Sequence, residues 1–190
     1  MCKFPVNELD KVNNISKEPF IILMRCTYRP NYFKKTIFSI LNQSDQNFKI
    51  IMCYDDDNCL DYLEEYINHE KFRIFKSKEV DKTSEGFYNL YCNQLLEYVT
   101  EGWILFMDDD NIYASQDSLL EIRNNLQDKN DFLVWKFKTG QCIAGPKDIN
   151  YIKPYTIDAG SFCFYHEFKN LSSWDDKRGG DFRFVDKLLE

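Results

Sequence analysis

Two stretches of the chain, "IIMCYDDDN" and "WILFMDDDN", carry Asp-Asp-Asp-Asn directly after an apolar run, at Asp55–Asn58 and Asp108–Asn111. Adjacent carboxylates repel, and each raises its neighbours' pKa unless a cation is present. In extended backbone residues i and i+2 share a face, so Asp108 and Asp110 converge on one point while Asp109 turns away. A hard divalent ion, Mn2+ or Mg2+, suits such a pair, because it takes oxygen ligands and often combines one or two carboxylates with a substrate's phosphates. The competing reading is an acidic turn that caps the next helix. An EF-hand is excluded by position: counting from Asp108 puts Ile112 and Tyr113, and counting from Asp55 puts Cys59 and Leu60, where a ligand and a glycine are required. A carboxylate nucleophile of the phosphatase kind belongs after the first strand, where this chain reads "MRCTYRP".

Short β-rich runs alternating with helical spacings must position these acids. "FIILM" (Phe20–Met24), "FKIIMCY", "FRIF" and "WILFM" read as strands. Between them Phe33, Ile37, Ile40 and Leu41 form a helical stripe, Leu60, Leu63 and Ile67 face inward from "CLDYLEEYI", and Phe87, Leu90, Tyr91, Leu95 and Tyr98 repeat the spacing. Successive βαβ units imply an α/β fold with a mostly parallel, covered sheet, and both Asp triplets then stand at carboxyl ends of strands, where open sheets bind ligands. Beyond Ser115, a candidate N-cap, "SLLEIRNNL" is a helix and "DFLVWKF", "QCIAG" and "SFCFY" are less regular strands of a smaller α+β part.

At 190 residues the chain suits one domain. With 44% hydrophobic and 16% aromatic residues it is globular, and its net charge of -7 without a Lys/Arg run argues against a nucleic-acid or anionic-membrane surface. Seven cysteines without a CxxC pair suit neither a disulfide framework nor a zinc site, so a reduced, cytoplasmic setting is expected. "MCKFPVNELDKVNN" lacks an apolar signal core, and no run approaches the roughly 18 apolar residues of a membrane span.

Taken together, "RCTYRPNYFKKTIFSILNQSDQNFKIIMCYDDDN" and "CNQLLEYVTEGWILFMDDDNIY" resemble family 2 glycosyltransferases of the GT-A fold. The likeness covers residues 20 to 113 well, and its brevity is similar to the compact domains encoded by large algal viruses. It implies different jobs for the two clusters. Asp55 and Asp56 would receive the base and ribose of a sugar nucleotide beside Thr27, Tyr28 and Arg29, with Asn93 and Asp109 close by, while Asp108 and Asp110 would be the DxD metal site. For the first cluster a solvated helix cap remains the alternative, and Thr27 and Tyr28 can equally finish a strand. In the second half "IDAGSFCF" and "SSWDDKRGGDFRFV" look like the glycine loop and the xED segment, which would bring Gly160 to the donor sugar and make Asp181 the catalytic base, with Asp175 and Asp176 as rivals. An inverting transfer needs such a carboxylate to take the acceptor hydroxyl's proton, a contribution of roughly 10²- to 10⁴-fold. Asp181 as an N-cap after two glycines is the competing reading. Lys177 and Arg178 would touch phosphate or merely solvate a loop, and Trp174 would stack on a sugar or be buried.

Three features depart from the pattern: Gly180 stands where the family usually has Glu, Cys92 where an arginine precedes the family's Asn, and both histidines, His69 and His166, come before the xED segment, whereas the family often has one after it. Diphosphate charge would then rest on the metal and on Lys82 or Arg178. The expected layout is a nucleotide-sugar half at about 19–113 and an acceptor half at 114–190, as one domain or as a part of a longer protein. The expected partners are a nucleoside-diphosphate sugar, UDP-sugar favoured, and a glycan or glycoprotein acceptor. A catalytically silent sugar-nucleotide-binding module is the alternative. A nucleotidyltransferase would want an early Gly-rich phosphate loop, and "MRCTYRPNYFKK" has no glycine.

Overall fold

A computed structural model of the chain describes residues 2–3, 17–146 and 149–190. Apart from residues 2–3, the stretch read above for a signal core lies outside the described residues. Four strands run parallel: β2 (Phe20–Cys26) lies between β3 (Phe48–Tyr54) and β5 (Trp103–Phe106), and β4 (Phe72–Lys76) flanks β3. Beyond β5 come β9 (Phe162–Tyr165), antiparallel to it, then β6 (Asp131–Val134) and the two-residue β1 (Cys2–Lys3), giving the order β1-β6-β9-β5-β2-β3-β4. "QCIAG" does not join this sheet. Its β8 (Cys142–Ala144) pairs only with β7 (Phe137–Thr139), because Gly140, at φ +57°, turns the chain straight back on itself.

Both faces of the sheet are covered, which is why its strands read as continuous apolar runs and not as alternations. Phe20, Ile22 and Met24 of β2 join Trp103 and Leu105 of β5 beneath α1 (Pro30–Leu41), α2 (Leu60–Leu63) and α4 (Ser118–Asn124). Ile21 and Leu23 join Ile104 and Phe106 beneath α3 (Leu90–Glu97) and α5 (Gly180–Leu189). In α1 the expected stripe holds: Phe33, Ile37 and Ile40 are buried, Leu41 packs beside them, and Pro30 pre-sets the first turn. The second crossover differs from expectation. "CLDYLEEYI" breaks into a 3-10 turn, a four-residue α2 and a second 3-10 turn, and Ile67 is exposed. Tighter winding rotates Cys59, Leu63 and the ring of Tyr66 inward in its place. Ser115 also lies upstream of its predicted role: Asp117 occupies the cap position of α4, while the Ser115 hydroxyl accepts the Asp117 N–H at 3.1 Å.

Register aligns the strand ends. Leu23 lies opposite Ile51 and Phe106, and Cys26 opposite Tyr54, so Thr27, Asp55 and Asp108 emerge together at one edge. Gly102 starts β5 at φ +77°, and a Cβ there would lie 2.1 Å from the Pro19 carbonyl oxygen, which accepts the Trp103 N–H. Gly140 has similar backbone but open space around it. Gly102→Ala is therefore expected to cost several kcal/mol, of which left-handed backbone accounts for about 1–2 and overpacking for about 1–3, while Gly140→Ala loses only the backbone part. Urea midpoints of the two variants check this, and equal losses would contradict it.

Candidate active site

The three acids after β5 have three environments. Asp109 is buried, with its carboxylate held by the Thr27 N–H at 2.8 Å and by the Arg29 guanidinium, and its carbonyl accepts the Thr36 hydroxyl at 3.1 Å. Burial raises its pKa, as do Asp110 and Asp108, against the pull of Thr27 and Arg29. It therefore ties the loop after β2 to the loop after β5. Asp108 and Asp110 remain accessible to solvent, where Asp108 accepts Arg25 Nε at 2.9 Å and Asp110 pairs with Arg29. The Arg25 guanidinium lies 4.5 Å from the centre of the Tyr88 ring.

The first cluster divides as well. Asp55 faces a cavity of about 440 Å³ lined by Arg25, Thr27, Cys53, Tyr88 and Tyr91, a size suited to a small ligand. Its carboxylate accepts Lys82 Nζ at 2.7 Å and the Tyr91 hydroxyl at 2.9 Å. Burial would raise its pKa, but these two donors hold it below the usual value. Asp56 caps the 3-10 turn through the Asn58 N–H at 3.0 Å, and Asp57 pairs with Lys76 on the surface. The capping alternative thus describes Asp56 and leaves Asp55 free to face the cavity. An adjoining open cleft of about 530 Å³ is lined by Thr27, Tyr28, Asp55, Asp56 and Lys82, with Tyr28 half exposed.

The xED-like segment crosses to this edge from the second half. Gly86 touches it so closely that a Cβ would lie 2.4 Å from the Lys177 carbonyl carbon, and its N–H donates to the Asp176 carbonyl at 2.9 Å. The cap of α5 is Gly179 at φ +77°, not Asp181, which sits within the first turn. Asp181 is half-buried, and burial, then Asp158 and Asp108, push its pKa up to about 7 against Arg25 and Arg183. Asp175 is different: Arg183 grips it through two nitrogens, at 2.5 and 2.7 Å, and holds its pKa below the usual value despite some burial. Asp176 is exposed, and the Arg178 carbonyl accepts from Arg183 at 3.2 Å. At Gly180 a Cβ would come within 2.5 Å of Asn89 Nδ2, whose own hydrogen bond to the Lys177 carbonyl holds it in place. Glutamate there would have to displace the Asn89 amide.

Asn93, an expected ligand contact, is otherwise engaged, and of the two readings of Trp174 burial is the one observed. Asn93 spends both ends of its amide on the Trp174 backbone, accepting its N–H at 2.9 Å and donating to its carbonyl at 2.8 Å. Trp174 is buried, stacked on Phe184 at 4.6 Å between ring centres, so it offers no face to a sugar. Gly160 lies in a 3-10 turn beside Asn111 and the Phe106 carbonyl, next to the end of β5. Sequence reasoning missed Asp158 and Arg25. Asp158 caps the Gly160 turn, and burial raises its pKa although the Gly160 N–H opposes this, with Asp108 and Asp110 adding to the rise. Arg25 was readable as the one charge in "FIILMRC", near the end of a buried strand.

A family model described as "Glycosyl transferase family 2" matches residues 21–143. The chain belongs to that family. Its fold is the GT-A fold, shared at 17% identity and TM-score 0.71 with S. aureus TarS 1-349, over 90% of this chain and 55% of that one. TarS 1-349 in complex with UDP-GlcNAc matches at 17% identity and TM-score 0.72, over 90% and 53%. The mannosyltransferase PcManGT from Pyrobaculum calidifontis, in complex with GDP-Man and Mn2+, matches at 12% identity and TM-score 0.66, over 90% and 52%. The chain thus spans about half the length of these structures. No described helix is long and apolar enough to cross a membrane.

The elevated Asp181 pKa has a consequence for stability. An ordinary aspartate loses its proton near pH 4 in the unfolded chain, whereas folded Asp181 keeps its proton to about 7. The folded state therefore binds more protons between about pH 4 and pH 7, and stability falls as pH rises across that window and stays lowered above it. Asp181→Asn removes the effect, so its denaturation midpoint should gain on that of the parent between pH 5 and pH 8. An unchanged difference would place the Asp181 pKa in the ordinary range.

Proposed function

We propose that the chain is a metal-dependent, inverting glycosyltransferase that moves a sugar from a nucleoside diphosphate, UDP favoured, to a hydroxyl of a glycan or glycoprotein acceptor. The observation that carries this reading is the meeting, at one edge of the sheet, of a ligand-sized cavity at Asp55, two accessible carboxylates at Asp108 and Asp110, and a carboxyl group poised near neutrality at Asp181. Asp55 receives the base or ribose, with Thr27, Tyr28 and Tyr91 around it. Arg25 and Arg29, paired with Asp108 and Asp110, are the cations nearest the acids and take the role expected of Lys82 and Arg178 toward diphosphate.

The residues present fit a divalent ion. Asp108 and Asp110 offer hard oxygen donors, and Asp158 lies within electrostatic range of both. Among the described residues no three His, Cys, Asp or Glu side chains are grouped to hold an ion, so an ion at Asp108 and Asp110 would need substrate oxygens as further ligands. When bound there, Mn2+ or Mg2+ would neutralise the charge developing on the departing diphosphate. Asp181 accepts the proton of the acceptor hydroxyl as that oxygen attacks the anomeric carbon from the face opposite the diphosphate. A carboxyl of pKa about 7 suits this task, being basic enough to take the proton while about half of it is ionised at neutral pH.

Two measurements test the proposal. A matching nucleotide sugar with Mn2+ is expected to stabilise the chain by about 2.7 kcal/mol at a hundred times its Kd, read as a thermal shift across UDP-, GDP- and dTDP-sugars. No shift with any donor, with and without metal, would refute the site. Asp181→Asn is expected to lower turnover roughly 10²- to 10⁴-fold while donor binding persists. If parent and variant bind donor alike and neither turns over, the silent binding module is the better description.

A further inference from the structure

Tyr155 has the backbone conformation least suited to its side chain. Among the described residues it alone, other than glycine, has φ in the left-handed region, at +69°, and its side chain is 86% exposed. Both features cost stability: positive φ crowds Cβ, and a bare aromatic ring gives up burial. The conformation is imposed locally. Pro154 fixes the preceding φ, the Thr156 N–H closes a turn onto the Lys153 carbonyl at 3.0 Å, and the Thr156 hydroxyl accepts the Lys153 N–H at 2.8 Å. Tyr155 occupies the third turn position, where positive φ normally selects glycine or asparagine. The turn is anchored at once, because Ile157 and Ala159 are buried and Asp158 caps the next turn beside Asp108. On its other side Arg183, clamped by Asp175, lies within electrostatic range of both Tyr155 and Asp181. A hydrogen-bonded turn thus holds an exposed aromatic ring three residues before Asp158, whose own turn packs against Asn111 and the Phe106 carbonyl at the end of β5.

We propose that Tyr155 is the acceptor platform of this enzyme: its exposed ring stacks on the apolar C–H face of a pyranose and so sets one sugar hydroxyl toward Asp181. The inference rests on the glycosyl-transfer reading and deepens it, naming a pyranoside as the acceptor class. Tyrosine suits the task because it presents a large flat surface with few torsions to freeze and a polar tip that remains wet. Trp174, the aromatic that the sequence offered for this role, is buried among Phe106 and Phe184.

The test uses the full chain with Mn2+, UDP-GlcNAc and UDP-glucose as donors, and methyl glycosides of glucose, galactose, mannose and N-acetylglucosamine as acceptors. UDP release is measured with and without acceptor, and binding of the methyl glycosides by saturation-transfer NMR, which needs no turnover. Tyr155→Ala is expected to raise the KM of the productive glycoside about tenfold and to weaken its NMR contact, while UDP release to water and donor affinity stay unchanged. Tyr155→Phe should behave as the parent. Tyr155→Gly should lose acceptor as Ala does yet melt at a higher temperature, since glycine relieves the turn. An Ala variant with unaltered KM and NMR contact overturns the platform, as does a Phe variant as impaired as Ala. A parent that releases no UDP from either donor and shows no donor-induced thermal shift overturns the glycosyl-transfer reading instead, and saturation transfer to the methyl glycosides, compared between parent and Tyr155→Ala, still decides whether the ring holds a sugar.

Discussion

Parallel pairing of β2 with β3 and β5 brings three strand ends to one edge, and each is followed by charged side chains that the register forces into proximity. Asp108, Asp109, Asp110, Asp158 and Asp181 gather there, and burial first, then the neighbouring carboxylates, raise the pKa values of Asp109, Asp158 and Asp181. Arg25 and Arg29 reach across from the neighbouring strand and loop to Asp108, Asp109 and Asp110. An edge balanced in this way responds to any added cation or phosphate, which would exchange partners with groups already present.

Division of labour within each acidic triplet follows from strand geometry and from what covers each side chain. Asp109, facing back into the fold, receives an N–H, a hydroxyl and a guanidinium, and so fixes the loop that carries Thr27. Asp55 lies between Lys82 and Tyr91, while its neighbours Asp56 and Asp57 serve a turn and a surface pair. Identical sequence therefore performs unlike tasks.

The parallel half was largely legible in the sequence because doubly covered strands are uniformly apolar and α1 keeps a regular stripe from Phe33 to Ile40. Periodicity failed at "CLDYLEEYI", where 3-10 winding shifts which residues point inward, and at "QCIAG", whose short hairpin obeys a glycine turn more than any pattern. In the site, the family resemblance named the acids, but it did not reveal that Asn93 is tied to Trp174 or that Trp174 is enclosed by aromatic rings. The Asn93 contact joins residues 81 apart along the chain, and Asp158 meets Asp108 and Asp110 across a similarly non-local separation, so no local spacing encodes them.

Asn89 fills the space that any side chain at position 180 would need, and the Lys177 carbonyl holds its amide there. A side chain introduced at 180 would have to displace that amide, at the expense of its bond to the Lys177 carbonyl. The first turn of α5 and the segment before α3 are thus coupled through this one amide.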